Sequence, residues 1–495
     1  MSASTAQLQT YELPIGGSWT PASSGATYDT LDPFTGEPWA TVPEGSADDV
    51  DRAVRAARDA LTGPWSEMSA SERGRLLLRV ADVLERDAPE LGRIETQDNG
   101  KLLREMAGQA AALPAWYRYF AGLADKIHGD TIDADRRDYL IYTRHEPVGV
   151  VGAIVPWNSP LMLLTWKVAP ALAAGCTIVA KPSDHTPVST LELARRFEQA
   201  GLPPGVFNVV TGSTPEAGKA LAAHPGIDKL AFTGSTAVGI QVAQAAMGHL
   251  AGVTLELGGK SAQVVFDDAD LDAVTNGIVA GVFAAGGQTC MAGSRLLVHA
   301  AVHDELVERV AERARTIRLG DPKAEDTEMG PLANARQLET VTGFIGSALE
   351  QGATVACGGG PDPDQGGLFV QPTVLTGTTP DMRVVSEEIF GPVLSVMPFD
   401  DEEEAVRLAN ASRYGLAAGV WTNDVRRAHR VAHALRAGTV WVNSYRVVSP
   451  AVPFGGPGAS GLGRENGHEA VREFTETKAI WVELTGATRD PFKLG

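Results

Sequence analysis

Cys290 stands in the stretch AAGGQTCMAGS (284–294), which holds almost nothing bulky to pack around a thiol. A cysteine is a nucleophile only as its thiolate. A nucleophile that forms a covalent adduct also needs oxyanion donors, and a base for the water that later releases the adduct. Glycines near Cys290 would let its backbone N–H approach a developing oxyanion. Asn158, in PWNSP, offers an uncharged donor for the same oxygen. Glu256, in ELGGK, offers a carboxylate that partial burial would turn into a general base. Each residue has a plainer reading as well: buried cysteines are common, Asn caps helices, and Glu256 could simply pair with Lys260.

Such groups must be held by a scaffold, and the middle of the chain supplies one. Short β-rich runs occur at 148–155, 177–181, 207–210, 229–233 and 253–257, with helical segments between them that close on Gly or Gly-Pro. Apolar runs alternating with helices predict βαβ units, hence an α/β fold with a doubly wound parallel sheet covered on both faces. Ligands of such sheets bind beyond the carboxyl ends of the strands. The residues there read PWNSP, KPSD, TGS, TGSTAVG and ELGGK, all polar or glycine-rich.

Asp184, three residues past Lys181, is placed to accept from the hydroxyls of an adenosine ribose, and Lys181 can donate to the same sugar. Gly234 and Gly239 in GSTAVG do not make a G-x-G-x-x-G fingerprint. The strand–glycine–helix context still predicts a helix from about Thr236 whose N-terminus could face a pyrophosphate.

Residues 48–126 read as strongly helical, and 134–149 as a hairpin leaving the main body. From 262 to about 440 α/β alternation resumes, which predicts a second α/β domain. A net charge of -19 disfavours nucleic-acid binding, because phosphates would be repelled over most of the surface. The three cysteines, Cys176, Cys290 and Cys357, cannot build a disulfide framework and show no metal-like spacing, so no metal is expected. The N-terminal stretch lacks a secretory pattern and no apolar run is long enough for a membrane span, so the expectation is a cytoplasmic protein.

The motifs PWNSP, KPSD, FTGSTAVG, LELGGKS, GGQTCMAG, EEIFGPV and PFGG…SGLGRENG occur in the order found in the aldehyde dehydrogenase superfamily, and the chain resembles that family over nearly its whole length. The 34 residues from Glu256 to Cys290 (290 − 256) also agree with the family pattern. By this resemblance Cys290 is the nucleophile, Asn158 the oxyanion donor and Glu256 the base for thioester hydrolysis. Lys167 and Glu465 match positions tied to proton movement. The cofactor, NAD with NADP possible, would be held by Val155, Pro156, Trp157, Lys181, Ser183, Asp184, Gly212, Phe232, Gly234, Ser235, Leu257, Glu388 and Phe390. The presence of Glu256 argues against the branch that releases its acyl group to coenzyme A.

The resemblance further implies a cofactor domain (1–133 and 150–261), a catalytic domain (262–470) and a small β arm (134–149 and 471–495) that joins subunits into a homodimer or homotetramer. Two positions depart from the family. Asp184 replaces the usual Glu, which weakens the discrimination against NADP, and Ser159 replaces a bulky aromatic of the substrate channel. Channel positions Trp166, Thr289, Met291, Tyr445, Val448 and Phe454 favour a medium-sized apolar or aromatic aldehyde. Against that stands Arg446, whose guanidinium could bind the carboxylate of a semialdehyde.

Overall fold

The computed structural model describes residues 8–486 and 490–492. The outermost parts of the expected cofactor domain (1–7) and arm (487–489, 493–495) lie outside the described residues, as does the first half of the N-terminal stretch read for a secretory signal. Helix α1 (Ala70–Asn99) opens on a reciprocal cap: Ser69 Oγ accepts the Glu72 N–H at 3.3 Å, and the Glu72 carboxylate accepts the Ser69 N–H at 2.8 Å. It closes on Gly100 in the left-handed conformation (φ 74°). Helix α2 (Leu103–Leu123) packs along α1.

The first sheet follows. Strands β1 (Val150–Ile154), β2 (Thr177–Lys181), β3 (Phe207–Val209), β4 (Lys229–Thr233) and β5 (Gly252–Glu256) are parallel, in the order β3-β2-β1-β4-β5. Between them run α3 (Pro160–Ala174), α4 (Val188–Ala200) and α5 (Thr236–Met247). Every residue of α3 is buried, which explains a sequence apolar all round rather than on one face. The strand order reverses between β1 and β4, so the crevice beyond their carboxyl ends is where this architecture binds ligands.

The second sheet has seven strands: β6 (Ala262–Val265), β7 (Arg295–His299), β8 (Thr354–Cys357), β9 (Thr373–Thr376), β10 (Val393–Phe399), β11 (Ala417–Trp421) and β12 (Thr439–Val442). Their order is β8-β9-β10-β7-β6-β11-β12, with only the β8–β9 pair antiparallel. Helix α6 (Leu271–Val282) leads from β6 toward the Cys290 loop. The chain then returns to the first sheet through β13 (Gly461–Leu462), antiparallel to β5, with Gly461 opposite Glu256.

One local feature goes unread in the sequence, and a second differs from its reading. The N-terminal residues before α1 include five short strands in two small sheets, too short to show a period. Segment 134–149 is not a hairpin by itself. Its strand Tyr139–Pro147 pairs with Thr131–Ile132 on one edge and with Thr475–Glu483 on the other. Among the described residues no helix is long and apolar enough to cross a membrane.

Candidate active site

The glycine-rich stretch around Cys290 has a steric cause. Ala285, Gly286 and Gly287 are consecutive residues at φ 58°, 60° and 68°, a left-handed run that glycine enters at little cost. A Cβ on Gly287 would lie 2.2 Å from the Gly391 carbonyl oxygen, and one on Gly259 would lie 2.3 Å from that of Cys290. The thiol loop is therefore pressed between the two sheets, and bulk is excluded by backbone.

Asn158 lies just past β1, buried, and its Nδ2 donates to the Gln288 carbonyl at 3.1 Å. That bond ties the end of the first sheet to the residue two before Cys290. Gln288 is fixed in turn, its Oε1 accepting the Ala333 N–H at 3.0 Å. Burial raises the Cys290 thiol to about 12, and the charges of Glu388 and Glu256 act in the same direction. The backbone N–H groups of Cys290 and Met291 face the sulfur and oppose that shift.

Glu256 ends β5 and is buried, with Oε2 free of hydrogen-bond partners. Burial and the neighbouring Glu465 raise its pKa well above the usual carboxylate range; Lys167 and Arg464 pull it back. Lys167 is buried, ion-paired with Glu465, and donates to Thr233 Oγ1 at 2.6 Å. Lys260 makes no such pair: its Nζ has no hydrogen-bond partner, and burial lowers its pKa to about 7. The plainer reading of Glu256 as a partner of Lys260 does not describe this structure.

A cavity of about 250 Å³ at the switch point of the first sheet brings Asn158 and Cys290 together; Glu256 does not line it, but its chain neighbour Leu257 does. Pro156, Trp157 and Asn158 come from the end of β1, Gly234 and Ser235 from the end of β4, and Leu257 from the end of β5. Cys290, Glu388 and Phe390 face them from the second sheet. Trp157 and Phe390 meet edge to face across it, centroids 5.2 Å apart. Glu388 Oε1 accepts the Gly259 N–H at 3.1 Å, and burial raises its pKa to about 7. Close packing fixes the glycines: a Cβ on Gly234 would sit 2.5 Å from the Phe232 ring, and one on Gly258 2.1 Å from Glu388 Oε2.

Helix α5 starts at Thr236 as expected, and Ser235 Oγ caps it by accepting the Val238 N–H at 3.4 Å. Val155 is buried at the β1 terminus, its N–H donating to the Lys181 carbonyl at 3.2 Å. Lys181 Nζ donates to the Gly212 carbonyl at 3.3 Å, and Ser183 Oγ to Asp184 at 3.0 Å. Asp184 borders a separate cavity of about 630 Å³, together with Tyr28, His185 and Ser213.

On the other side of Cys290, Trp166 stacks on Trp116 (6.2 Å) and meets Phe454 at 5.1 Å. Tyr445 donates its hydroxyl to the Met291 carbonyl at 2.9 Å. Met291 and Val448 pack against the same core, and Thr289 is buried. Arg446 differs from the open guanidinium anticipated at the channel mouth. Its backbone is left-handed (φ 64°), and its Nη1 donates to the carbonyls of Ala280 (2.9 Å) and Ala284 (3.1 Å). The guanidinium clamps the end of α6 beside the Cys290 loop.

Sequence reasoning passed over Trp116, Gln288, Glu95 and Lys101. Glu95 and Lys101 lie in ETQDNGK at the end of α1, whose charges signal only a helix terminus. In the structure Glu95 Oε1 accepts the Leu161 N–H at 2.8 Å, capping α3 just after Asn158.

Residues 19–480 match the model of the aldehyde dehydrogenase family. The chain is 46% identical to (Z)-2-((N-methylformamido)methylene)-5-hydroxybutyrolactone dehydrogenase of Acinetobacter baylyi, covering 98% of this chain and 99% of that protein. It is 47% identical to aldehyde dehydrogenase family 2 member B4, mitochondrial, of Arabidopsis thaliana, over 97% of this chain and 89% of that one. The solved NAD+ complex of an aldehyde dehydrogenase from Bacillus cereus superposes with a TM-score of 0.94 at 46% identity, covering 96% and 97% of the two chains.

Proposed function

The chain belongs to the aldehyde dehydrogenase family and is an NAD(P)-dependent enzyme of that class, and we propose that it oxidises aldehydes to acids through a thioester on Cys290. The observation that carries this reading is the single cavity into which Cys290, Asn158, Glu388 and Phe390 all open.

In this reading the Cys290 sulfur attacks the aldehyde carbon. Asn158 Nδ2 and the Cys290 N–H donate to the oxyanion, positioned without further reorganisation by the Gln288 contact. Loss of hydride from the adduct leaves the thioester, and Glu256 takes the proton of the water that attacks its carbonyl, releasing the acid and the Cys290 thiolate. A carboxylate with a raised pKa is the stronger base when ionised, and Lys167 and Glu465 beside it set that balance.

The residues fit the cofactor: the cavity at the switch point is lined by Gly234, Ser235 and Gly258 on one side and by Glu388 and Phe390 on the other. Pro156, Trp157, Leu257, Glu388 and Phe390 would hold its nicotinamide end. Ser235 and the α5 N-terminus would take the pyrophosphate. Lys181, Ser183, Asp184 and Gly212 would take the adenosine ribose, with the charge of Asp184 favouring NAD over NADP. When bound, NAD supplies the hydride acceptor.

The aromatic shelf of Trp166 and Phe454, with Met291, Tyr445 and Val448, supports an apolar or aromatic substrate body. The exposed Tyr139, Leu140, Trp481 and Val482 of the arm support subunit contacts. Three unpaired cysteines suit a reducing cytoplasm. The test is NADH or NADPH formation from short aliphatic, long aliphatic and aromatic aldehydes, against a Cys290→Ala control. Thiol-dependent reduced cofactor supports the reading, and equal signal in the control refutes it.

A further inference from the structure

Lys101 takes no part in the chemistry above, yet its surroundings are unusual for a buried cation. It follows the α1 terminus, where its backbone N–H donates to Asn99 Oδ1 at 2.9 Å. Its side chain is 3% exposed, and its hydrogen bond is a long one, Nζ to Ser159 Oγ at 3.4 Å. Ser159 in turn donates to the carbonyl of Asn158 at 2.7 Å. The ammonium is therefore two hydrogen bonds from the oxyanion residue, separated from it by one small side chain.

Among the described residues no carboxylate lies within 4 Å of Lys101 Nζ. Glu105 and Glu95 are the acids it senses. Glu105 spends Oε1 on the Ala285 N–H (2.9 Å), and Glu95 spends Oε1 on α3. Arg446 adds a second cation, and both Lys101 and Arg446 sense the charge of Cys290. Arg446 is already committed through Nη1 to two carbonyls. Lys101 is not: an ammonium has three donors, and one long bond leaves it under-satisfied in a place where burial is costly. Its pKa falls to about 8, chiefly through burial, so at neutral pH the charge remains.

A structural lysine with this burial would be expected to be paired. An anionic group on the substrate would complete it, and only the small Ser159 side chain stands between the ammonium and Asn158. We propose that Lys101 is a specificity-determining residue that binds a carboxylate carried by the aldehyde, reached past Ser159. The inference rests on the aldehyde dehydrogenase reading and refines its substrate: an apolar or aromatic body bearing an acidic group. The recognising cation is then Lys101 and not Arg446, which the sequence offered as an alternative.

The experiment uses two matched pairs, 4-carboxybenzaldehyde with 4-methylbenzaldehyde, and an ω-oxo acid with the alkanal of equal length. The readout is the ratio of kcat/KM, carboxylated over neutral, in wild type, Lys101→Met and Lys101→Arg. The wild-type ratio should exceed one, and Lys101→Met should lower it by about tenfold or more, mainly through KM, as expected for loss of a charge-assisted contact. Lys101→Arg should restore part of the ratio, which a variant damaged only in folding would not do. A ratio unchanged in Lys101→Met, with both substrates falling together or neither, overturns the proposal while leaving the enzyme class intact. Absence of Cys290-dependent NADH from all four aldehydes overturns both.

Discussion

Lys167 on α3 and Glu465, 298 residues later in the chain, form an ion pair that is almost wholly buried beside Glu256. The pair joins the centre of the first sheet's buried helix to the segment that brings β13 back beside β5. Its two charges pull Glu256 in opposite directions, Glu465 upward and Lys167 downward. The proposed base thus sits where burial favours its proton and a single ammonium favours its release.

The proposed oxyanion donor is the simplest element to remove. Asn158→Ala deletes one donor and its tie to Gln288 without touching a charge. Turnover should fall by about a hundredfold or more, the usual cost of one such donor, while the thermal midpoint stays near that of wild type. Steady-state kinetics beside a melting curve decides it; near-wild-type turnover would remove Asn158 from the mechanism.

Cys290 should behave as a sluggish thiol in the cofactor-free enzyme. With its pKa raised to about 12, alkylation should quicken about tenfold per pH unit from 7 to 10, with no plateau. Glu388 titrates near 7 and is charged at pH 9, where it opposes the thiolate. Glu388→Gln should therefore speed alkylation at pH 9, and a plateau below that pH in wild type would contradict the assigned environment.

Gly258 is predicted to matter through Glu388 rather than through folding. A Cβ there would meet Glu388 Oε2 at 2.1 Å, the far end of a flexible side chain that can swing aside. Gly258→Ala should raise KM for NAD by about tenfold, equivalent to about 1.4 kcal/mol, with little change in melting temperature. A large loss of stability with unchanged KM would show that the glycine serves packing instead.

Glu95 carries a pH signature. Burial raises its pKa to about 7 from an ordinary 4.5, although its carboxylate accepts the Leu161 N–H. A carboxyl whose folded pKa is raised stabilises fully below the unfolded value and loses that contribution as pH climbs through the folded one. The shift corresponds to up to about 3 kcal/mol. Glu95→Gln, which keeps the cap's acceptor, should gain stability relative to wild type between pH 5 and pH 8. Parallel unfolding curves at both pH values would place the carboxylate's titration elsewhere.

The first sheet was legible because its strands are short apolar runs with polar or glycine-rich ends, and the observed strands fall on those runs to within about two residues. The Cys290 loop could be singled out for its lack of bulk, although the left-handed run at 285–287 and the carbonyls pressing on it come from distant segments. Lys101 and Glu95 were illegible for the opposite reason. A lysine or glutamate near a helix end reads as solvated, and only the packing of α1 against α3 buries it. Arg446 shows the same limit: its charge was visible in the sequence, but its two carbonyl partners, one on α6 and one just past it, were not.

The most direct test is to trap the acyl-enzyme. Glu256→Gln, mixed with NAD and an oxidisable aldehyde and quenched in acid, should give a burst of about one NADH per site and then stall. Peptide mass spectrometry should find the acyl group on the peptide carrying Cys290. A linear progress curve at the wild-type rate, or an acyl group on Cys176 or Cys357, would contradict the assignment of Cys290 as nucleophile and Glu256 as the base that frees it.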